Sequence, residues 1–260
     1  LNTIGQNMEQ KKTQGRLVCV GLGMTLGAHI TPASLKQIES ADVVFIGAST
    51  GIVEEWVKSI NPNTISLQPF YQGRNSRKET YAQMIEAILE QVRLGKNVCG
   101  AFYGHPGVFA LAPRKAIKQA REEGYDAYME PGISAEACLY ADLGLDPGAT
   151  GCQQFETNQF MFYNRQVDIA SLLILWQVGL AGDKESSNFS TTRESLQQLV
   201  DKLVEYYPPT HRAIVYEAKL LAIDTIRQEE IELRNLPKAE LNMNSTLVIP
   251  AYKRLIDLKL

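Results

Sequence analysis

Short apolar runs alternate with amphipathic segments through the first half of the chain, and the alternation predicts strands and helices in turn. Leu17–Val20, Val43–Ile46, Thr64–Leu67, Val98–Phe102 and Ala127–Glu130 read as strands. Pro32–Ser40, Val53–Ile60, Ser76–Leu94, Pro113–Glu123 and Ala135–Asp142 read as helices. In Ser76–Leu94, the residues Tyr81, Met84, Ile85, Ile88, Leu89 and Val92 fall on one helical face. Gly95 then supplies a C-terminal stop. Strand and helix in alternation predict a mostly parallel α/β sheet.

The pattern changes after the Gly/Pro-rich stretch LGLDPGATG, residues 143–151. Ser171–Val178, Ala213–Ala218, Thr225–Leu233 and Ser245–Ile249 read as strands, and one long helix, Thr192–Tyr206, stops before Pro208-Pro209. This predicts a disordered arm over 1–15, a parallel-type α/β domain over 16–150 and a C-terminal α+β domain over 151–260.

Of the 260 residues, 45% are hydrophobic, enough for a substantial core. The net charge of −3 gives no general basic field for nucleic acid. No apolar run approaches the ~20 residues of a membrane span. The polar start LNTIGQNMEQKKTQ lacks a signal-peptide core, so a cytoplasmic location is expected. Cys19, Cys99, Cys138 and Cys152 form no close pair and read as structural thiols. His29, His105 and His211 lack metal spacing, so no metal site is expected.

Three glycine turns follow strands: VCVGLGMTLG (18–27), FYGHPGVFAL (102–111) and MEPGISAEA (129–137). Pro106 cannot donate to a ladder and Gly107 takes unusual φ easily, so the second run must break its strand. In the third, Ser134 is placed to cap a helix whose amides could hold a carboxylate. Each turn alone also suits an ordinary strand-to-helix loop. A dinucleotide fingerprint is disfavoured, because the spacing is G-x-G-x-x-x-G and Asp42 begins the second strand instead of ending it.

Together VGLGMTLG, FYGHPGVF and PGISAEACLYADLG resemble the tetrapyrrole-methylase fold, which implies two α/β domains with S-adenosylmethionine in the cleft between them. That family usually has an acidic residue where this chain has His105. YGHPGVF, AREEGY, ADLGLDPG, CQQFE and LWQVG resemble a narrower group, the borosin-type peptide backbone α-N-methyltransferases. The likeness runs from about Arg16 to Pro250. It implies donor contacts from Leu22, Gly23, Tyr103, His105, Val108, Phe109, Ser134 and Ala135. It also implies that FMFYN (160–164) and NSTLVIP (244–250) form strands flanking the adenine, with Phe162, Thr246 and Leu247 as contacts.

Arg77 and Tyr81 are four residues apart on the long helix, with Tyr71 in the loop before it. Spacing alone also suits a solvated arginine beside two tyrosines that cap a core. The resemblance implies a catalytic Tyr71–Arg77–Tyr81 set. An amide nitrogen is a poor nucleophile until it loses its proton. A guanidinium favours phenolate and stabilises an imidate oxygen. Tyr71 is therefore expected as general base, Arg77 as electrostatic stabiliser and Tyr81 as a positioning partner.

Some members of that group carry the acceptor peptide as their own extension. Here AYKRLIDLKL follows Pro250, and the expectation is the split form, acting iteratively on a separate precursor with a leader or binding region. S-adenosylhomocysteine would be the product, and a homodimer, or a heterotetramer with two precursors, the assembly. The alternatives are a methyltransferase for a tetrapyrrole, corrin or other small molecule, and a silent binding module.

Overall fold

The computed structural model describes residues 15–48, 50–72, 77–184 and 189–254. The chain divides into two compact units, residues 1–133 and 134–260. Residues 1–14 of the expected arm lie outside the described residues. Gly15, its last member, is instead buried, and a Cβ on it would lie 1.8 Å from the Val92 carbonyl oxygen.

In the first unit five strands form one parallel sheet. They are β1 (Arg16–Gly21), β2 (Val43–Gly47), β3 (Thr64–Ser66), β4 (Asn97–Phe102) and β5 (Asp126–Met129). The spatial order is β3-β2-β4-β1-β5. β1 sits near the middle with every residue after Arg16 buried, so it reads as a continuous apolar run without alternation. The helices are α1 (Pro32–Ser40), α2 (Gly51–Ile60), α3 (Arg77–Arg93) and α4 (Leu111–Glu122). Thr31 starts α1 by accepting from the Ser34 amide at 3.1 Å, with Pro32 at the first helical position.

α3 buries the stripe anticipated from its spacing: Met84, Ile85, Ile88, Leu89 and Val92, with Thr80 beside them. Each large side chain so buried contributes about 1.5–3 kcal/mol. Gly95, at φ +85°, closes the helix by donating to the Val92 carbonyl. Ser76, the expected first residue, lies outside the described residues.

The second unit begins at α5 (Ala135–Leu143), then α6 (Pro147–Thr150), β6 (Cys152–Glu156), α7 (Thr157–Phe162), β7 (Leu172–Trp176), α8 (Arg193–Leu203), β8 (Arg212–Glu217), β9 (Arg227–Glu232) and β10 (Thr246–Ile249). Its sheet has the order β6-β7-β10-β8-β9, with β6 and β7 parallel and the remaining pairs antiparallel. The Gly/Pro-rich stretch 143–151, expected to separate the domains, lies inside this unit. α5 is tied to it by hydrogen bonds, Tyr216 Oη to Asp142 among them at 2.7 Å. The edge strand β9 carries charge. Arg212 pairs with Glu230 at 2.7 Å and Arg227 with Glu229 at 2.6 Å.

Phe160–Asn164, expected as a strand, is largely helical. Glu156 accepts from the Gln159 amide at 2.9 Å and starts the six-residue α7. Among the described residues no helix is long and apolar enough to cross a membrane, and no cluster of three potential metal ligands occurs. All four cysteines are free thiols.

Where the first unit's strands end, three backbones nearly touch. A Cβ on Gly21 would lie 2.3 Å from the Gly104 oxygen and 2.8 Å from the Gly132 Cα. One on Gly132 would meet the Gly104 oxygen at 2.6 Å. Gly132→Ala is therefore expected to destabilise the protein by about 2 kcal/mol or more, because backbone cannot yield as a side chain can. Gly51→Ala, with open space around its new methyl, should be neutral or stabilising by up to about 1 kcal/mol. Denaturant unfolding of both variants checks the pair.

Candidate active site

The loops after β1 and β4 lie side by side because those strands are neighbours. Their backbones pair: Gly23 donates to the Gly104 carbonyl at 3.2 Å and Gly104 donates back to Gly23 at 3.0 Å. Both glycines have positive φ, +74° and +66°. Leu22 is buried beneath this bridge and donates its amide to the Phe102 carbonyl at 2.8 Å. The result is a floor made of main chain at the carboxyl edge of a parallel sheet, where α/β folds bind ligands.

The seam continues along that edge. Tyr103 donates its amide to the Gly47 carbonyl at 3.3 Å, joining the loops after β4 and β2. Gln68 Nε2 donates to the Ala48 carbonyl at 2.5 Å, joining the β2 loop to the 3-10 helix 68–72 that carries Tyr71. His105 Nδ1 accepts from the Gly107 amide at 2.9 Å, so the proton of the neutral ring is on Nε2. Gly107 allows this turn, since a Cβ there would meet Met129 Sδ at 2.9 Å. Val108 and Phe109 are exposed, and Phe109 holds φ +50°, costly for a bulky side chain.

Tyr71, Arg77 and Tyr81 come together. Arg77 Nη1 donates to the Tyr81 hydroxyl at 3.4 Å. The Tyr71 and Tyr81 rings meet edge to face with centroids 6.4 Å apart. Tyr71 lies in a helical turn, not the loop expected, and 41% of it is exposed. Its phenol is pushed up to about 12, first by burial and then by Tyr81, while the Arg77 charge pulls the other way and loses. The resting group is thus the protonated phenol.

In the second unit Ser134 occupies the N-cap of α5 but makes no side-chain cap bond. Ala135 opens the helix. Phe162 ends α7 and is 44% exposed. Thr246 is buried in β10, and Leu247 is fully buried in the unit's apolar core, paired on both sides by β7 and β8. Leu247 therefore presents no surface to a ligand, contrary to expectation. Gly21, Gly132 and Gln68 complete the floor and the seam without having been singled out. The Pro-Gly turn 131–132 was the available signal for the second of these.

The sequence profile of the Tetrapyrrole (Corrin/Porphyrin) Methylases matches residues 16–231. The chain belongs to this family. It is 40% identical over 228 residues to a methyltransferase/ribosomally synthesized type I borosin cyclic peptide precursor of Coprinopsis marcescibilis, covering 87% of this chain and 58% of that protein. It is 36% identical over 244 residues to the methyltransferase/gymnopeptides precursor of Gymnopus fusipes, covering 92% and 58%. The chain thus spans 58% of the length of these two relatives. Among solved structures, uroporphyrin-III-C-methyltransferase of Thermus thermophilus superposes with a TM-score of 0.63 at 18% identity, over 92% of this chain and 93% of that one. At that identity the likeness concerns the fold.

The residues fit the methyl donor that a methylase requires. Gly21 and Gly132 leave no room for a Cβ and so bring main-chain carbonyls close to a ligand, and Phe109 is exposed in the loop that carries Gly104.

A raised phenol pKa favours the folded state only while the phenol keeps its proton. Tyr71's contribution is complete below pH ~10 and is lost as pH rises toward about 12. Unfolding measured from pH 8 upward should show a steeper alkaline loss of stability in wild type than in Tyr71→Phe. Tyr207, also pushed up to about 12 by burial, is common to both proteins and cancels.

Proposed function

We propose that this chain is an S-adenosylmethionine-dependent methyltransferase that N-methylates backbone amides of a ribosomally made precursor peptide. The observation that carries the reading is the Tyr71–Arg77–Tyr81 cluster, on the same sheet edge as the glycine floor. The similarity to borosin precursors supports it. When bound, the donor supplies an electrophilic methyl group on a cationic sulfur.

In this reading Leu22, Gly23, Tyr103, His105, Val108 and Phe109 are the first unit's donor contacts, and Ser134, Ala135 and Phe162 are those of the second. Tyr71 Oη takes the proton from the amide nitrogen. Arg77 stabilises the charge that develops on the amide oxygen, and its bond to Tyr81 fixes where the guanidinium points. With Tyr71 held near about 12, only about one molecule in ten thousand carries the phenolate at pH 8. The base is scarce but strong. We further infer that methylation is iterative and that the protein is a cytoplasmic homodimer. A time course of methyl addition tests the first of these and light scattering the assembly.

A second reading, methyl transfer to a tetrapyrrole, is favoured by the family profile that residues 16–231 match. Incubation with donor and either acceptor, followed by mass spectrometry, separates the two. Successive methyl increments located on peptide nitrogen support the first, and methylated tetrapyrrole with unchanged peptide supports the second.

Turnover at saturating substrates should rise about tenfold per pH unit between pH 7 and 9, as expected of a base far above its working pH. A flat profile would remove Tyr71 as base. Tyr71→Phe should lower turnover by about a hundredfold or more while donor affinity holds. Arg77→Lys should also lose turnover, because an ammonium lacks the planar fork.

A further inference from the structure

The second unit contains a chain of hydrogen bonds that the proposed chemistry leaves unused. Trp176, at the end of β7, donates its indole N–H to Gln154 Oε1 at 2.8 Å. That bond fixes which way round the amide of Gln154 sits, so its Nε2 faces α5. There it donates to Glu136 Oε1 and to the Tyr140 hydroxyl oxygen, the latter at 3.3 Å. Tyr140 in turn lies 2.9 Å from the same carboxylate oxygen and donates to it. Burial, then bonding to Cys152 and Glu136, raises the Tyr140 phenol above its ordinary value, which keeps it a donor.

Glu136 stands in the first turn of α5, one residue beyond Ala135. An acidic side chain there ordinarily turns back on the free amides of the helix start. Here Gln154 and Tyr140 draw its carboxylate sideways onto β6, and Ser134 makes no side-chain cap either. The helix start is thereby fastened to two strands, β6 directly and β7 through Trp176, while neither of these side chains occupies its amides.

We propose that Gln154, Tyr140 and Trp176, acting through Glu136, are positioning residues that hold the Ser134–Ala135 turn in place for the methyl donor. The inference rests on the reading of Ser134 and Ala135 as donor contacts. It adds residues to that reading that touch neither donor nor acceptor. A partly buried polar network whose members bond one another holds one geometry, and losing one member frees the rest.

Calorimetric titration with S-adenosylhomocysteine tests it, with a thermal melt and donor kinetics on each variant. Gln154→Leu and Glu136→Ala are expected to weaken binding about tenfold. Their turnover at saturating donor should stay within about twofold, so the loss appears in the donor KM. Glu136→Gln keeps a carbonyl oxygen for both donors and should retain affinity within about threefold. Trp176→Phe keeps the ring and loses the N–H. It should weaken binding about threefold, and it serves if Gln154→Leu fails to fold. Variants that melt lower yet bind like wild type would make the network purely structural and overturn the proposal. A wild-type protein that binds no S-adenosylhomocysteine would overturn the donor reading itself, and the positioning role with it.

Discussion

The first unit depends on three backbones approaching more closely than any side chain permits. Gly21, Gly104 and Gly132 come from the ends of β1, β4 and β5, and a methyl group on Gly21 or Gly132 would overlap main chain. Main chain cannot rotate away, so this contact dictates the geometry of all three loops at once. The paired Gly23 and Gly104 amides, the turn that orients His105 and the seam toward Tyr71 each inherit their positions from it. A floor built in this way offers a ligand carbonyl oxygens whose placement does not depend on rotamers.

The electrostatics beside that floor run against simple expectation. A guanidinium next to a phenol ought to favour the phenolate, and Arg77 does act in that direction on Tyr71. Burial and the neighbouring phenol of Tyr81 outweigh it. One cation in a partly water-excluded site does not offset the lost hydration of an oxyanion. The cluster therefore rests in a protonated, donor-rich state, and the phenolate that would act as base is a minor but strongly basic form of it.

Periodicity made much of the fold legible. The α3 stripe from Met84 to Val92 and the runs around Val18, Val44 and Cys99 are long or apolar enough to declare themselves. β6 did not, because CQQFE is polar. Its two glutamines are spent on hydrogen bonds, Gln153 to Ser171 and Gln154 to Glu136. FMFYN has the aromatic content of a strand, yet the local cap at Glu156 decides for a helix. In the site, the meeting of Tyr71, Arg77 and Tyr81 could be anticipated from helical spacing and resemblance. The burial of Leu247 and the protonation of Tyr71 could not, since both depend on what packs around a residue and not on its neighbours in sequence.

The second sheet ends in β9, whose outer rim leaves main-chain groups open to water beside Arg227, Glu229, Glu230 and Glu232. An incoming strand from another molecule would have to strip hydration from this mostly acidic fence before any ladder could form. Raised ionic strength screens such a fence. Concentrated samples in brine would thus be more prone to stack edge to edge than dilute ones in weak buffer.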